Sequence, residues 1–137
     1  MECKRNDGKK QIPSADTWLQ EAKKEKDAAK CGMYLFHNGV VRESARTRVR
    51  QGDLSAAPVV GMEFSYDEKK VQEAIEEAKN LPGIYYVRVW LNEGKLSVGD
   101  DIMLVLLGGD TRPHVVTGLE TLVGRIKNTC VTEREIY

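Results

Sequence analysis

Residues 102–107, Ile-Met-Leu-Val-Leu-Leu, are apolar at every position. A strand points alternate side chains to opposite faces, so this run predicts a strand buried on both faces, with a covering layer on each side of its sheet. That requirement excludes an open, one-sided sheet, and the flanking sequence supplies the elements to meet it.

Two helical patterns are strong. Val71, Ala74, Ile75 and Ala78 recur at i, i+3, i+4 and i+7 after a capping box at Ser65-Tyr-Asp-Glu68, and Asn80-Leu-Pro-Gly83 ends that helix. Val115, Leu119, Leu122 and Ile126 recur at i, i+4, i+7 and i+11, with Pro113 tolerated in the first turn and Lys127 closing the helix. A third helix, capped by Ser14 or Asp16, is predicted to run to about Lys30 on a thin stripe of Trp18, Leu19, Ala22 and Ala29. Strands are predicted over 32–42, with a bulge or a close backbone approach at Gly39, over 59–64 and over 84–91. Residues 94–100 read as a turn shaped by Gly and Asp, and 130–137 as an extended tail. The resulting order predicts an α+β fold, an α/β sandwich with helices packed on a mixed, mainly antiparallel sheet. Residues 13–137 form one domain in this reading, and the charged residues 1–12 a disordered arm.

Lys plus Arg and Asp plus Glu are both 21 in 137 residues, so there is no basic excess of the kind that nucleic-acid binding requires, although a local basic patch stays open. No apolar stretch is long enough to span a bilayer, and no membrane partner is expected. Cys3, Cys31 and Cys130 lack disulfide or metal spacing, so reduced thiols, no metal, no cofactor and a cytoplasmic location are expected; the polar N-terminal residues, not followed by an apolar signal core, agree.

The anion-binding candidates are cations at element ends. Arg112 lies in the first helical turn after Gly108-Gly109-Asp110-Thr111, where its charge opposes the helix dipole; a residue placed against its local preference points to function. His114 can add a donor there, although a solvent-facing histidine is the blander reading. Four arginines fall within 42–50, and Arg42, at a strand end, is the candidate for bidentate contact with phosphate or carboxylate; a solvated loop explains the others. Lys127 suits a helix C-terminus whether or not it does chemistry. His37, Trp18 and Trp90 are assigned to packing.

Taken together these segments resemble the MoaE family, the large subunit of molybdopterin synthase. The resemblance covers roughly residues 12–137. Gly32…Gly39-Val-Val-Arg42 is similar to G-A-x-x-x-F-x-G-x-V-R, Met62-Glu63 to the family's L-E, and Leu91-Asn-Glu-Gly-Lys-Leu-Ser-Val-Gly-Asp100 to H-R-x-G-x-L-x-x-G-D. From there an ungapped register puts Thr111-Arg112 on an H-R pair and Lys127 on the lysine of K-x-x-x-P-x-W-K-x-E. The resemblance implies a homodimer that binds a ubiquitin-like sulfur-carrier small subunit and moves sulfur from its thiocarboxylate to a pterin monophosphate, cyclic pyranopterin monophosphate. It implies Lys127 as the catalytic lysine and Arg42 and Arg112 as grips on the pterin; His114, two residues past Arg112, and Arg134, in the tail, are further substrate-binding candidates. The departures are His37 for Phe, Leu91-Asn92 for the first H-R pair, Thr111 for His, and a tail one residue short. In that tail the second lysine is replaced by Glu133 or, in another register, by Arg134. These changes fall on site positions while the scaffold persists. They leave open a non-catalytic or repurposed relative that dimerises and still binds a sulfur carrier or another anionic ligand.

Overall fold

The computed structural model describes residues 10–43 and 58–137. In chain order these residues form α1 (Ala15–Ala22), a 3-10 turn (Ala28–Lys30), β1 (Met33–Val40), β2 (Gly61–Tyr66), α2 (Glu68–Lys79), β3 (Ile84–Leu91), β4 (Gly94–Ser97), β5 (Asp101–Gly109), α3 (Arg112–Arg125), a π-helical turn (Ile126–Cys130) and β6 (Val131–Ile136). The strands make two three-stranded sheets, β1-β5-β3 and β4-β2-β6. Every pairing among the described residues is antiparallel. The expected α+β architecture is therefore present, with two sheets where one mixed sheet was expected.

β5 is the central strand of the first sheet, and Ile102 to Gly109 are all buried. Met103, Val105 and Leu107 face the main core, where they meet Val71, Ala74 and Ala78 of α2, Val115 and Leu122 of α3, and Met62 and Phe64 of the second sheet. Leu104 and Leu106 face the other side, under Trp18 and Ala22 of α1 and a rim of Tyr34, Phe36, Tyr86 and Trp90. Burying the six apolar side chains 102–107 on both faces contributes on the order of 10 kcal/mol. Arg88, stacked over Trp18, pairs with Glu21 and fastens α1 to β3.

Several expectations are corrected by tertiary contacts. α1 ends at Ala22 because the following Lys23-Lys24-Glu25-Lys26 offers no apolar residue to extend the stripe, and a short helix persists only while it packs. α2 is capped by Asp67, which accepts from the Lys70 amide at 3.2 Å; Ser65 and Tyr66 are still paired with Thr132 and Val131 of β6, so the chain stays extended two residues longer than the capping box requires. The 94–100 segment is a strand, β4, followed by a tight turn in which Asp100 accepts from the Ser97 amide at 2.8 Å and Gly99 takes φ 91°. The tail is strand β6, paired with β2 from Gly61 opposite Ile136 to Tyr66 opposite Val131. Of the expected arm, residues 1–9 lie outside the described residues. Lys10 does not extend away as an arm: its amine donates to the Tyr66 hydroxyl at 2.6 Å and to the Leu91 carbonyl at 2.7 Å.

Candidate functional site

The chain passes from the first sheet to the second between β3 and β4, and Asn92 holds the crossing. It is 1% exposed; its side chain donates to the Asp101 carbonyl at 2.8 Å and accepts from the Glu93 amide at 2.9 Å. Leu91-Asn92, where the resemblance has an H-R pair, is thus a buried structural joint here.

At the start of β5, the end of β1 lies beside the second sheet. The Gly39/Val40 register shift bends β1, as expected at Gly39, and Val41 then ties to the turn before β5 through Val41 N–H to Asp100 O (2.9 Å) and Gly99 N–H to Val41 O (2.8 Å). This brings Val40, Arg42 and Ile102 against Met62 of β2, Glu133 and Glu135 of β6, and Lys127, around a cleft of about 90 Å³. Arg42 is exposed at its rim. Most of the arginine-rich loop, residues 44–50, lies outside the described residues.

Lys127 owes its direction to the π-helical turn. α3 widens after Arg125, the Thr129 hydroxyl donating to the Arg125 carbonyl at 2.7 Å, and fully buried Ile126 and Cys130 pin the turn on either side. Lys127 Nζ lies 2.8 Å from Glu133 Oε1, with side-chain exposures of 31% and 9%. The strand alternation of β6 sends Glu133 and Glu135 into the cleft and Arg134 to the outer face. Of the two residues that the resemblance leaves for the second lysine position, Glu133 is the one that lines the cleft. Arg134 instead pairs with Glu63 at 2.7 Å and holds the Glu63 carboxyl below its ordinary range. It borders a larger, more open depression of about 350 Å³ with Glu63 and Lys95, away from Lys127.

His37, expected to pack, lies on the same face of β1 as the cleft. Burial first, and the Lys127 charge second, push its imidazole below the usual histidine value, so it is neutral at pH 7.

Arg112 and His114 are at the opposite end of β5. Nine residues of strand separate Asp101, opposite Val40, from Gly109, opposite Met33 and Ile84. At about 3.3 Å per residue the two ends are about 26 Å apart, so one chain does not bring Arg112 and His114 to Lys127. At this end Asp110 Oδ1 lies 2.8 Å from His114 Nδ1 and accepts from the Thr111 amide at 2.6 Å, and the His114 contact is the main reason its carboxyl stays below the ordinary range. Only glycine fits at position 83, where φ is 75° and a Cβ would come within 2.3 Å of both Asp110 Oδ1 and His114 Nδ1. The helix-start donors expected to meet an external anion are thus partly taken by Asp110.

Of the cleft carboxylates, Glu133 enters the sequence reading only as a replacement for a lysine, and Glu135 does not enter it. Their segment, read as an extended tail, has no apolar alternation in Val131-Thr-Glu-Arg-Glu-Ile136 to mark which face turns inward; pairing with β2 decides it. Among the described residues, no group of three or more His, Cys, Asp or Glu is placed to hold a metal ion.

A family model described as MoaE protein matches residues 12–129. No curated protein sequence matches the chain significantly. Among solved structures, molybdopterin synthase from Staphylococcus aureus superposes with TM-score 0.68 at 19% identity, over 91% of this chain and 86% of that one. Molybdopterin cofactor biosynthesis protein E from Burkholderia multivorans ATCC 17616 gives 0.66 at 20%, over 90% and 84%. A protein-protein complex of subunits 1 and 2 of molybdopterin-converting factor from Helicobacter pylori 26695 gives 0.60 at 17%, over 90% and 84%. The family match takes in Arg42, Arg112 and Lys127 and stops before β6, and with so much of the chain covered, this protein belongs to the MoaE family.

Proposed function

We propose that this chain is the large subunit of a molybdopterin synthase, moving sulfur from the thiocarboxylate of a ubiquitin-like small subunit to cyclic pyranopterin monophosphate. The MoaE family serves molybdenum cofactor biosynthesis. The observation that carries the reading is that Lys127 and Arg42, distant in sequence, line one cleft within the matched region. In it the Lys127 ammonium steadies the charge that develops on the acyl end as sulfur leaves, and moves a proton at Nζ. The Arg42 fork suits a phosphate or carboxylate oxygen pair. Arg112 and His114, at the other end of α3 and about 20 Å from Lys127 at 1.5 Å per residue, serve the same substrate only if a second copy presents them, which is the role of a homodimer in this reading.

The two-subunit complex from Helicobacter pylori supports a small-subunit partner. The cytoplasm is the proposed compartment, supported by Cys31 and Cys130 as free thiols. No helix of the described residues is long and apolar enough to cross a membrane.

One observation favours a second reading, a relative that binds the carrier without turnover: Glu133 faces Lys127, and among the described residues two carboxylates and two cations line the cleft. The test is to mix the purified protein with thiocarboxylated small subunit and cyclic pyranopterin monophosphate, scoring molybdopterin and complex formation together. Product supports the synthase, complex without product supports the binding relative, and neither outcome removes both readings.

A further inference from the structure

Glu133 has no part in the chemistry just described, yet the fold holds its carboxylate on the lysine that does. β6 pairs with β2 along its length, with Glu133 opposite Phe64, so strand geometry aims the side chain inward. Lys127 is fixed from its own side by the π-helical turn between buried Ile126 and Cys130. Ion pairs between mobile surface side chains contribute little, because ordering entropy and screening offset the attraction. A carboxylate that is only 9% exposed, with an ammonium 2.8 Å away, is a different case, because losing that cation leaves a desolvated charge behind.

We propose that Glu133 is a built-in counter-ion of the cleft, occupying the Lys127 ammonium that the terminal carboxylate or thiocarboxylate of an acyl tail must reach. On the reading that Lys127 receives such a tail, Glu133 is a specificity-determining residue. Tail binding is an exchange of ion pairs in which no covalent bond forms or breaks. Lys127 releases one carboxylate and takes another, and Glu133 turns toward Arg42, a second cation that lines the cleft among the described residues. Two carboxylates sharing one ammonium repel each other, so an anionic tail is opposed until Glu133 yields. A tail of the same length with an uncharged amide end meets no such opposition. The family match ends at residue 129, so Glu133 lies beyond the matched residues.

The test has two arms on the full-length protein. In the first, the Lys127 side-chain resonances of isotopically labelled protein, assigned by their loss in Lys127→Ala, are followed while acetate is added. Acetate is expected to shift them in Glu133→Gln at a concentration about tenfold lower than in wild type, one charge contact of about 1.4 kcal/mol, with Glu133→Asp staying close to wild type. Equal acetate response in wild type and Glu133→Gln overturns the proposal. In the second arm, calorimetry compares a peptide ending in a Gly-Gly carboxylate with its C-terminal amide. Glu133→Gln should gain about tenfold for the carboxylate and nothing for the amide, and the gain should vanish when Lys127→Ala is added. A gain for both ends alike means that Glu133 acts by filling space, which overturns the proposal. If acetate discriminates while no variant binds the peptide, the counter-ion stands and the tail-binding reading of the site falls.

Discussion

At one end of β5, Lys127 meets Glu133; at the other, His114 meets Asp110, and both contacts are 2.8 Å long. The first pair has side-chain exposures of 31% and 9%, the second 47% and 37%. Around the first, the lysine charge reaches beyond its partner and, after burial, helps to keep His37 neutral. At the second, the main effect stays within the pair, where the His114 contact lowers the Asp110 carboxyl. Solvent screens the outer pair, while the inner pair sits where charge is poorly screened. The same contact length therefore shapes a small shared cleft at one end and secures a helix start at the other.

The sharpest way to separate the two ends is Lys127→Ala. It should reduce sulfur transfer by on the order of 10²–10⁴-fold without changing the elution volume of the protein; activity that survives would exclude Lys127 from the chemistry. Combining the ends comes next. If two copies complete one site, mixing Lys127→Ala and Arg112→Ala chains should restore about a quarter of wild-type turnover, because half the dimers are mixed and each mixed dimer keeps one intact site of two. No restoration would mean that the far end serves something else.

Gly83→Ala perturbs only the far end. An L side chain at that positive φ, driven against Asp110 and His114, should cost about 1–3 kcal/mol in urea denaturation. Unchanged stability would show that the Asp110-His114 pair moves aside freely. His37→Phe probes the near end through pH. The folded-state pKa of His37 lies below its unfolded value of 6.5, so its contribution to stability is full above 6.5 and is lost as pH falls through 6.5 toward the folded value. Wild type should therefore lose more stability than His37→Phe between pH 7.5 and 5, and equal losses would show that neither burial nor the Lys127 charge holds the His37 pKa down. Arg134→Ala should change least. Its partner Glu63 lies on the outer face with it, so turnover should match wild type, and a marked loss would return Arg134 to the substrate path.

Local pattern carried much of the fold. The strand predicted over 84–91 is β3, Ile84–Leu91, residue for residue, and the stripe of Val71, Ala74 and Ala78 is the buried face of α2. Both depend on neighbours in sequence, where periodicity already states which side must be dry. The first helix failed at its far end because a charged stretch can read as helical, but only packing keeps a short helix formed. The cap at Ser65 failed because β6, more than sixty residues later, holds that residue in a strand. The candidate site divides in the same way. Arg42, Arg112 and Lys127 stood out by residue type and position, and two of them do share a cleft.

What the sequence by itself determined was the both-faces burial of β5, the helical stripes of α2 and α3, and the cations at the ends of their elements. Only the tertiary structure decided which of those cations act together, because strand length carries Arg112 about 26 Å from the start of β5 while the return of α3 brings Lys127 back to it. It also decided what Lys127 meets: β6 lies against β2 with Glu133 inward and Arg134 outward, a choice of register between distant segments that no local period encodes.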